Sequence, residues 1–195
     1  VIVFNLIGVT WVSGGNLKKG LEYYLQSLDI RRKLGDEQMI SNALNNIGTV
    51  YVRLGEPQKG LDLYSEALEI RKQHNDSVGI AQTMNNIGVT YKRDSQYDSA
   101  MTCFEKSLKI KRELGDKELI ASTLNNLGEI AALKNQTGRA MEFYNEALAC
   151  RRDINDVYGT IKSLLKLSGL MADEKNYSRA MSYLQEALQI AVPGF

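Results

Sequence analysis

A unit of 40 residues recurs along the whole chain without insertion or deletion. The segment Asn45-Asn46-Ile47-Gly48 returns as Asn85-Asn86-Ile87-Gly88 and again as Asn125-Asn126-Leu127-Gly128. Asn5-Leu6-Ile7-Gly8 is the same element upstream, and Leu165-Lys166-Leu167-Ser168 is its most divergent copy. A fixed period of this length is the signature of a repeat architecture. The chain must therefore build a row of similar units, each of which buries its apolar face only against its neighbours.

Each unit is predicted to contain two helices. Asp36 stands where an N-cap belongs, and the apolar residues that follow it share one helical face. Gly55 can end this first helix in a left-handed conformation, and Pro57 suits the first turn of the second helix. Small residues at Gly48, Gly60 and their equivalents lie where packed helices need to approach closely.

The order of residues within a unit resembles the tetratricopeptide repeat. The matching positions of the second unit are Leu44, Ile47-Gly48, Tyr51, Gly60, Tyr64 and Ala67. The resemblance covers essentially all 195 residues. It implies an all-α fold, an α-solenoid of about five stacked antiparallel helix-turn-helix repeats forming a right-handed superhelix. The repeats are expected at residues 1–35, 36–75, 76–115, 116–155 and 156–192 of a single solenoid.

This chain departs from the usual repeat in two respects, the first being that the usual tryptophan is replaced by Phe4, Leu44, Met84, Leu124 and Leu164. The proline that normally follows the second helix is absent and the unit is longer, so we expect that helix to run on past Arg31-Arg32, Arg71-Lys72 and their equivalents. The chain begins inside a first helix at Val1 and ends directly after the last one at Phe195. We therefore expect it to be a segment of a longer protein.

Composition and charge weigh against several classes of function. A formal net charge of +1 gives no basic excess for nucleic acid, and no apolar run is long enough to span a membrane. Cys103 and Cys150 are too few for a disulfide framework or a zinc site, which favours a reducing, cytoplasmic setting. His74 is the only histidine and has no fixed partner in sequence. We predict no enzymatic activity, no metal and no cofactor.

The asparagines suggest a binding site. Asparagine is a mediocre helix former, and seven of them would cost roughly 3–5 kcal/mol of helix propensity, so another interaction is expected to offset them. In tetratricopeptide domains the first helix of each pair lines the concave surface, and by this resemblance the carboxamides would hold a peptide backbone. The predicted peptide-binding groove comprises Asn45, Asn46, Thr49, Arg53, Gln82, Asn85, Asn86, Arg93, Asn125, Asn126, Glu129 and Lys166.

Some alternatives stay open. The asparagines could instead bond to one another as a structural ladder, and the basic pairs could form a positive ridge or simply complement the helix dipoles, which we favour. The main hypothesis is a scaffold that binds a protein or peptide. The second is a regulatory sensor segment of a bacterial or archaeal signalling protein that controls an attached output domain. The third is end-to-end self-association through apolar termini that include Val1 and Phe195.

Overall fold

In the computed structural model, residues 2–192 are described and form ten α-helices, with no β-strand among them. The helices are α1 (Ile2–Ser13), α2 (Leu17–Leu34), α3 (Glu37–Arg53), α4 (Pro57–Gln73), α5 (Ser77–Arg93), α6 (Tyr97–Leu114), α7 (Lys117–Leu133), α8 (Thr137–Asp153), α9 (Val157–Asp173) and α10 (Tyr177–Ala191). The odd-numbered helices are the predicted first helices, and the even-numbered ones are the second helices. The all-α class with stacked neighbouring helices is confirmed.

The predicted helix ends are confirmed as well. The Asp36 side chain accepts a hydrogen bond of 3.0 Å from the Met39 amide, and the equivalent aspartates cap α5, α7 and α9 in the same way. Pro57 opens α4. Gly55 takes a φ of 85° after α3, in the left-handed region that favours glycine. The long second helix is also found, because α2 runs to Leu34 and α6 to Leu114.

The chain divides into two compact units. The first, which we call the N-terminal unit, ends at Asp94 and contains α1 to α5. Helices adjacent in sequence pack against each other in it, and α3 also contacts α5. Its core includes Leu44 and Ile47, both with 0% exposure. A Cβ added to Gly48 would lie 2.8 Å from the ring of Tyr64, which explains the small residue at this position.

The second unit, which we call the C-terminal unit, begins at Ser95 and contains α6 to α10. Its core lies between α7, α8, α9 and α10 and includes Leu164 and Leu167, both fully buried. Here the ring of Tyr144 packs on Gly128 as Tyr64 packs on Gly48. The equivalent glycine and tyrosine therefore pack in the same way in each unit.

Candidate functional site

A stripe of exposed and half-buried residues runs along one face of each of the first helices α3, α5, α7 and α9. On α3 it consists of Asn42, Asn46, Thr49 and Arg53, spaced three or four residues apart as one helical face requires. The equivalent residues on α5 are Gln82, Asn86, Val89 and Arg93. On α7 they are Ser122, Asn126, Glu129 and Leu133, and on α9 they are Lys162, Lys166, Gly169 and Asp173. We call these stripes the first-helix faces.

The two adjacent asparagines of α3 occupy different environments. Asn45 is only 4% exposed, and its Oδ1 accepts a hydrogen bond of 3.1 Å from Asn86 Nδ2. Thr83 Oγ1 lies 3.4 Å from the same oxygen, at the long limit for a hydrogen bond. Asn46 is half-buried on the first-helix face, and among the described residues its side chain has no hydrogen-bond partner. One carboxamide of the pair thus links α3 to α5, and the other is available to a ligand.

The remaining predicted asparagines are half-buried. Asn85 and Asn125 stand in the same column as Asn45, and Asn126 stands in the column of Asn46. Asn125 Oδ1 is buried without a hydrogen-bond partner in the described part of the chain. Asn126 Nδ2 reaches the Ser122 carbonyl at 3.4 Å, again a long contact. The structural ladder is therefore formed between Asn45 and Asn86, while the corresponding oxygen of the C-terminal unit is left unpaired.

Thr49 takes part in a small polar network behind the face. Its Oγ1 lies 3.0 Å from the Asn45 carbonyl and 3.0 Å from the Tyr64 hydroxyl. Tyr64 also bonds to the side chain of Thr90. Burial raises the pKa of Tyr64, the two threonine hydrogen bonds partly opposing the rise, so the phenol stays protonated and can donate. Thr49 is thus engaged within the protein.

The charged residues of the first-helix faces also differ in whether they have a partner within the protein. Arg53, Gln82 and Arg93 are exposed, and neither arginine forms an ion pair with any residue between positions 2 and 192. Lys166 Nζ, in contrast, lies 2.6 Å from Glu129 Oε1, so these two predicted residues pair across α7 and α9. Arg53 and Arg93 thus carry positive charge without an ion pair among the described residues.

The basic pairs at the ends of the second helices have a role that the helix-dipole interpretation missed. Their first members are packed inward at the junction with the next first helix: Arg31 and Arg71 of the N-terminal unit, and Lys111 and Arg151 of the C-terminal unit. Arg71 is 2% exposed. Its Nη1 donates to the Gly79 carbonyl at 2.7 Å and to Thr83 Oγ1, and its Nη2 donates to Asn42 Oδ1 at 2.7 Å. This cation therefore joins α4 to both α3 and α5.

Burial also lowers the pKa of Arg71 and of Lys111. Desolvation lowers the pKa of Arg71, and Asp76 partly restores it. In the C-terminal unit desolvation lowers the pKa of Lys111 to about 8, against the opposing effect of Asp116, while its Nζ donates to Thr123 Oγ1 at 2.7 Å. The signal available in the sequence was the exact recurrence of a cation ahead of each capping aspartate.

The second members of the basic pairs do not form a free positive ridge. Arg32 lies 2.8 Å from Glu66 of the next second helix, Arg112 lies 2.6 Å from Glu146, and Arg152 pairs with Glu186 in the same way. Each pair links successive second helices within one unit. Acidic residues of the next second helix therefore neutralise these cations.

Residues considered for chemistry have ordinary surroundings. His74 is exposed at the end of α4, and its Nε2 lies 2.6 Å from Glu37. Burial raises the pKa of both Cys103 and Cys150, which opposes formation of the reactive thiolate. Within the described residues no group of His, Cys, Asp or Glu is arranged to hold a metal ion, and none of the helices is both long and apolar enough to cross a membrane.

Comparison with known proteins gives one sequence match and many structural ones. The family model described as "Tetratricopeptide repeat" matches residues 12–73 and 79–153. No curated protein matches the chain. The fold is similar to that of BtubC (BKLC) from P. vanneervenii, with a TM-score of 0.87 and 20% identity over 98% of this chain and 80% of BtubC.

Two other similar structures contain the same fold as part of a longer chain. A Rap protein complexed with competence and sporulation factor has a TM-score of 0.80 and 17% identity over 96% of this chain and 53% of the Rap chain. A STAND ATPase with a tetratricopeptide repeat sensor, from Pyrococcus horikoshii, has a TM-score of 0.87 and 19% identity over 96% of this chain and 28% of the ATPase. At these identities the similarity establishes the fold, and the chain spans about half or less of both proteins.

Proposed function

Because the chain belongs to the tetratricopeptide repeat family, we propose that it binds a peptide or an extended protein segment on its first-helix faces. Tetratricopeptide repeats suggest a scaffold for protein–protein interaction, and the fold is in general non-enzymatic. The binding surface, the residues on it and the identity of the partner are the proposal.

The observation that carries the proposal is the contrast between Asn45 and Asn46. Asn45 is buried and bonded within the protein, whereas the neighbouring Asn46 presents a half-buried carboxamide without a partner among the described residues. A carboxamide offers one acceptor and two donors, which match the carbonyl and the N–H of a peptide unit of any sequence. About two turns further along the same face, Arg53 offers an exposed guanidinium for an acidic side chain.

These neighbouring asparagines supply a matched pair of variants. A peptide that binds the chain is first selected from a random library, and its dissociation constant is then measured for wild type, Asn46→Ala and Asn45→Ala. We expect Asn46→Ala to weaken binding about tenfold, as loss of one or two well-placed hydrogen bonds does, with no loss of thermal stability. We expect Asn45→Ala to lower stability by about 1–3 kcal/mol, because Asn86 Nδ2 loses its buried acceptor.

The control is Asn145→Ala, an exposed asparagine on the second helix α8. This variant should change neither affinity nor stability. Unchanged peptide affinity in Asn46→Ala, or an equal loss in Asn145→Ala, contradicts the assignment of binding to the first-helix face.

The sensor hypothesis is the second candidate. The Rap protein was crystallised with competence and sporulation factor, and the STAND protein is described as having a tetratricopeptide repeat sensor. We propose that a chain of this fold could equally report the bound peptide to an attached output domain. Reading the full-length gene tests this, since a neighbouring output domain supports the sensor and repeats alone support the scaffold. A cytoplasmic location is part of both proposals.

Self-association is a third proposal, supported by the outer face of α10. Met181 and Leu188 are 55% and 54% exposed, whereas the equivalent Met101 and Leu108 are 8% and 4% exposed. Val1 and Phe195, also predicted to contribute, lie outside the described residues. Light scattering over a concentration series tests this proposal, which fails if the mass stays that of one chain.

A further inference from the structure

A polar pocket opens in the C-terminal unit between α7, the end of α8 and the start of α9. It has a volume of about 470 Å³, and Arg151 lines it together with Glu118, Ser122, Asp156, Tyr158 and Lys162. Arg151 belongs to the column of inward-packed cations, but its side chain is 11% exposed while that of Arg71 is 2% exposed. The pocket thus contains a largely desolvated guanidinium that solvent still reaches.

Arg151 lacks the hydrogen bonds that its equivalents make. Arg71 donates to the Gly79 carbonyl, to Thr83 Oγ1 and to Asn42 Oδ1. Among the described residues Arg151 donates no hydrogen bond, and its nearest acid is Asp156, whose Oδ2 lies 3.8 Å from Nη1. An arginine has five N–H donors and is costly to bury without acceptors.

The sequence explains the difference residue by residue. Ser122 stands where the N-terminal unit has Asn42, and its short side chain takes the place of the carboxamide that accepts from Arg71. Ser163 stands where Thr83 accepts from Arg71. Lys166 replaces Asn86 and reaches α7 at Glu129 instead of donating to Asn125, the equivalent of Asn45. Among the described residues none of these three side chains accepts a hydrogen bond from Arg151, and neither does the Gly159 carbonyl, although Gly159 is equivalent to Gly79.

The C-terminal unit also contains a group of unsatisfied buried atoms. Asn125 Oδ1, Ser163 Oγ and Arg151 Nε are buried without hydrogen-bond partners in the described part of the chain. Their counterparts Asn45 and Thr83 are bonded to each other, at the long distance of 3.4 Å, and Asn45 is bonded to Asn86 as well. The Nε atom is equally unpaired in Arg31 and Arg71, so the distinguishing atoms are those of Ser163 and Asn125.

The start of α9 lies close to the arginine. A Cβ at Gly159 would lie 2.2 Å from Arg151 Nη1 and 1.9 Å from Asp156 Oδ2, so a larger residue here would displace these side-chain ends. Asp156 is committed as the N-cap of α9, because its Oδ1 accepts from the Gly159 amide at 2.8 Å. Lys162 lies over the Tyr158 ring at 5.4 Å and adds a second positive charge at the rim.

We propose that this pocket receives one carboxylate of a bound peptide, with Arg151 as the principal donor and Lys162 as the second positive charge. The inference rests on the proposed peptide-binding function and adds the chemical class of one ligand group. A carboxylate is planar, accepts two hydrogen bonds side by side and so matches the guanidinium fork. The pocket would thereby favour an acidic residue at one position of the peptide, or the peptide's C-terminal end.

The test uses single capped amino acids as probes. In an NMR titration of the full chain, the Nε–Hε signal of Arg151 is followed as N-acetylglutamate amide is added, with the uncharged N-acetylglutamine amide as its matched control. We expect a saturable shift for the glutamate probe and at least about tenfold weaker binding for the glutamine probe. The Arg71 signal is the internal control and should stay in place, because its Nη1 and Nη2 are already bonded and the side chain is only 2% exposed.

Two further arms complete the experiment. N-acetylglycine carries only a terminal carboxylate, so its binding relative to N-acetylglutamate amide shows whether the pocket prefers a C-terminus or an acidic side chain. The variant Arg151→Gln, checked for unchanged helicity by circular dichroism, should bind neither probe.

Several results would overturn the inference. These are the absence of saturation with both carboxylates, an equal response of Arg71 and Arg151, or undiminished binding in Arg151→Gln. If the Arg151 side chain instead pairs with Glu118, neither carboxylate probe will saturate the Arg151 signal. The probes are too short to span a first-helix face. If the probes do not bind but Asn46→Ala still weakens peptide binding, the pocket proposal alone is overturned. If Asn46→Ala leaves peptide affinity unchanged, the proposed function is overturned.

Discussion

Replacing Arg71 and Arg151 by glutamine perturbs one position of the repeat in two different environments. Arg71→Gln removes three charge-assisted hydrogen bonds, which the arginine donates to the Gly79 carbonyl, Thr83 Oγ1 and Asn42 Oδ1. Each such bond contributes about 1.5–3 kcal/mol, but removing the arginine also relieves the desolvation of a buried charge. We therefore expect a net loss of about 3 kcal/mol for Arg71→Gln. Arg151 has no such bonds to lose, so we expect Arg151→Gln to stay within about 1 kcal/mol of wild type.

Urea unfolding followed by circular dichroism measures this difference. The midpoint is the quantity to compare, because a row of repeats need not unfold in a single step. A loss of 3 kcal/mol corresponds to a decrease of about 1 M or more in the urea midpoint of the transition. Equal losses in the two variants, or a loss below about 1 kcal/mol in Arg71→Gln, would refute the view that only Arg71 joins three helices.

Two further predictions concern the same packing. Because the pKa of Lys111 is about 8 in the folded chain and 10.5 ordinarily, the unfolded chain binds the additional proton between these values, so the unfolding free energy should rise with pH from about 8 to 10.5. Lys111→Met should remove this rise and increase the unfolding free energy by up to about 3 kcal/mol below pH 8, because Thr123 Oγ1 keeps the Leu119 carbonyl as its own acceptor. A variant whose urea midpoints depend on pH as those of wild type do would contradict this. A Cβ at Gly128 would lie 2.5 Å from the Tyr144 ring, whereas one at Gly169 meets nothing within 4 Å. Gly128→Ala should therefore lose about 1–3 kcal/mol and Gly169→Ala gain about 0.5–1 kcal/mol in thermal unfolding, and a reversed order would show that the close contact is not what selects glycine.

Local features of the fold were predictable because they depend on residues close in sequence. Asp36 as an N-cap, Gly55 as a left-handed helix end and Pro57 as a helix start each follow from backbone chemistry at that position, and all three are found. Because the unit recurs every 40 residues, a local prediction made for one repeat applies to the equivalent residues of the others. The small residue at Gly48 was predictable from the repeat, although its contact with Tyr64 was not.

The roles of individual polar residues depended on contacts between repeats. Nothing in the order Asn45-Asn46 says which carboxamide turns towards α5, because that follows from the position of Asn86 on the neighbouring helix. A cation at a helix end reads as a complement to the dipole, and only packing shows that Arg71 reaches two other helices. Lys166 likewise looked available until its contact with Glu129 was seen.

Side-chain amide NMR tests the central claim most directly. With a library-selected peptide added to labelled chain, the Asn46 carboxamide signal should shift saturably, together with the Nε–Hε signal of Arg53. The Asn145 carboxamide and the Gln58 carboxamide, both on second helices, should stay in place. Shifts confined to Asn145 and Gln58, with Asn46 unmoved at saturation, would contradict binding on the first-helix face.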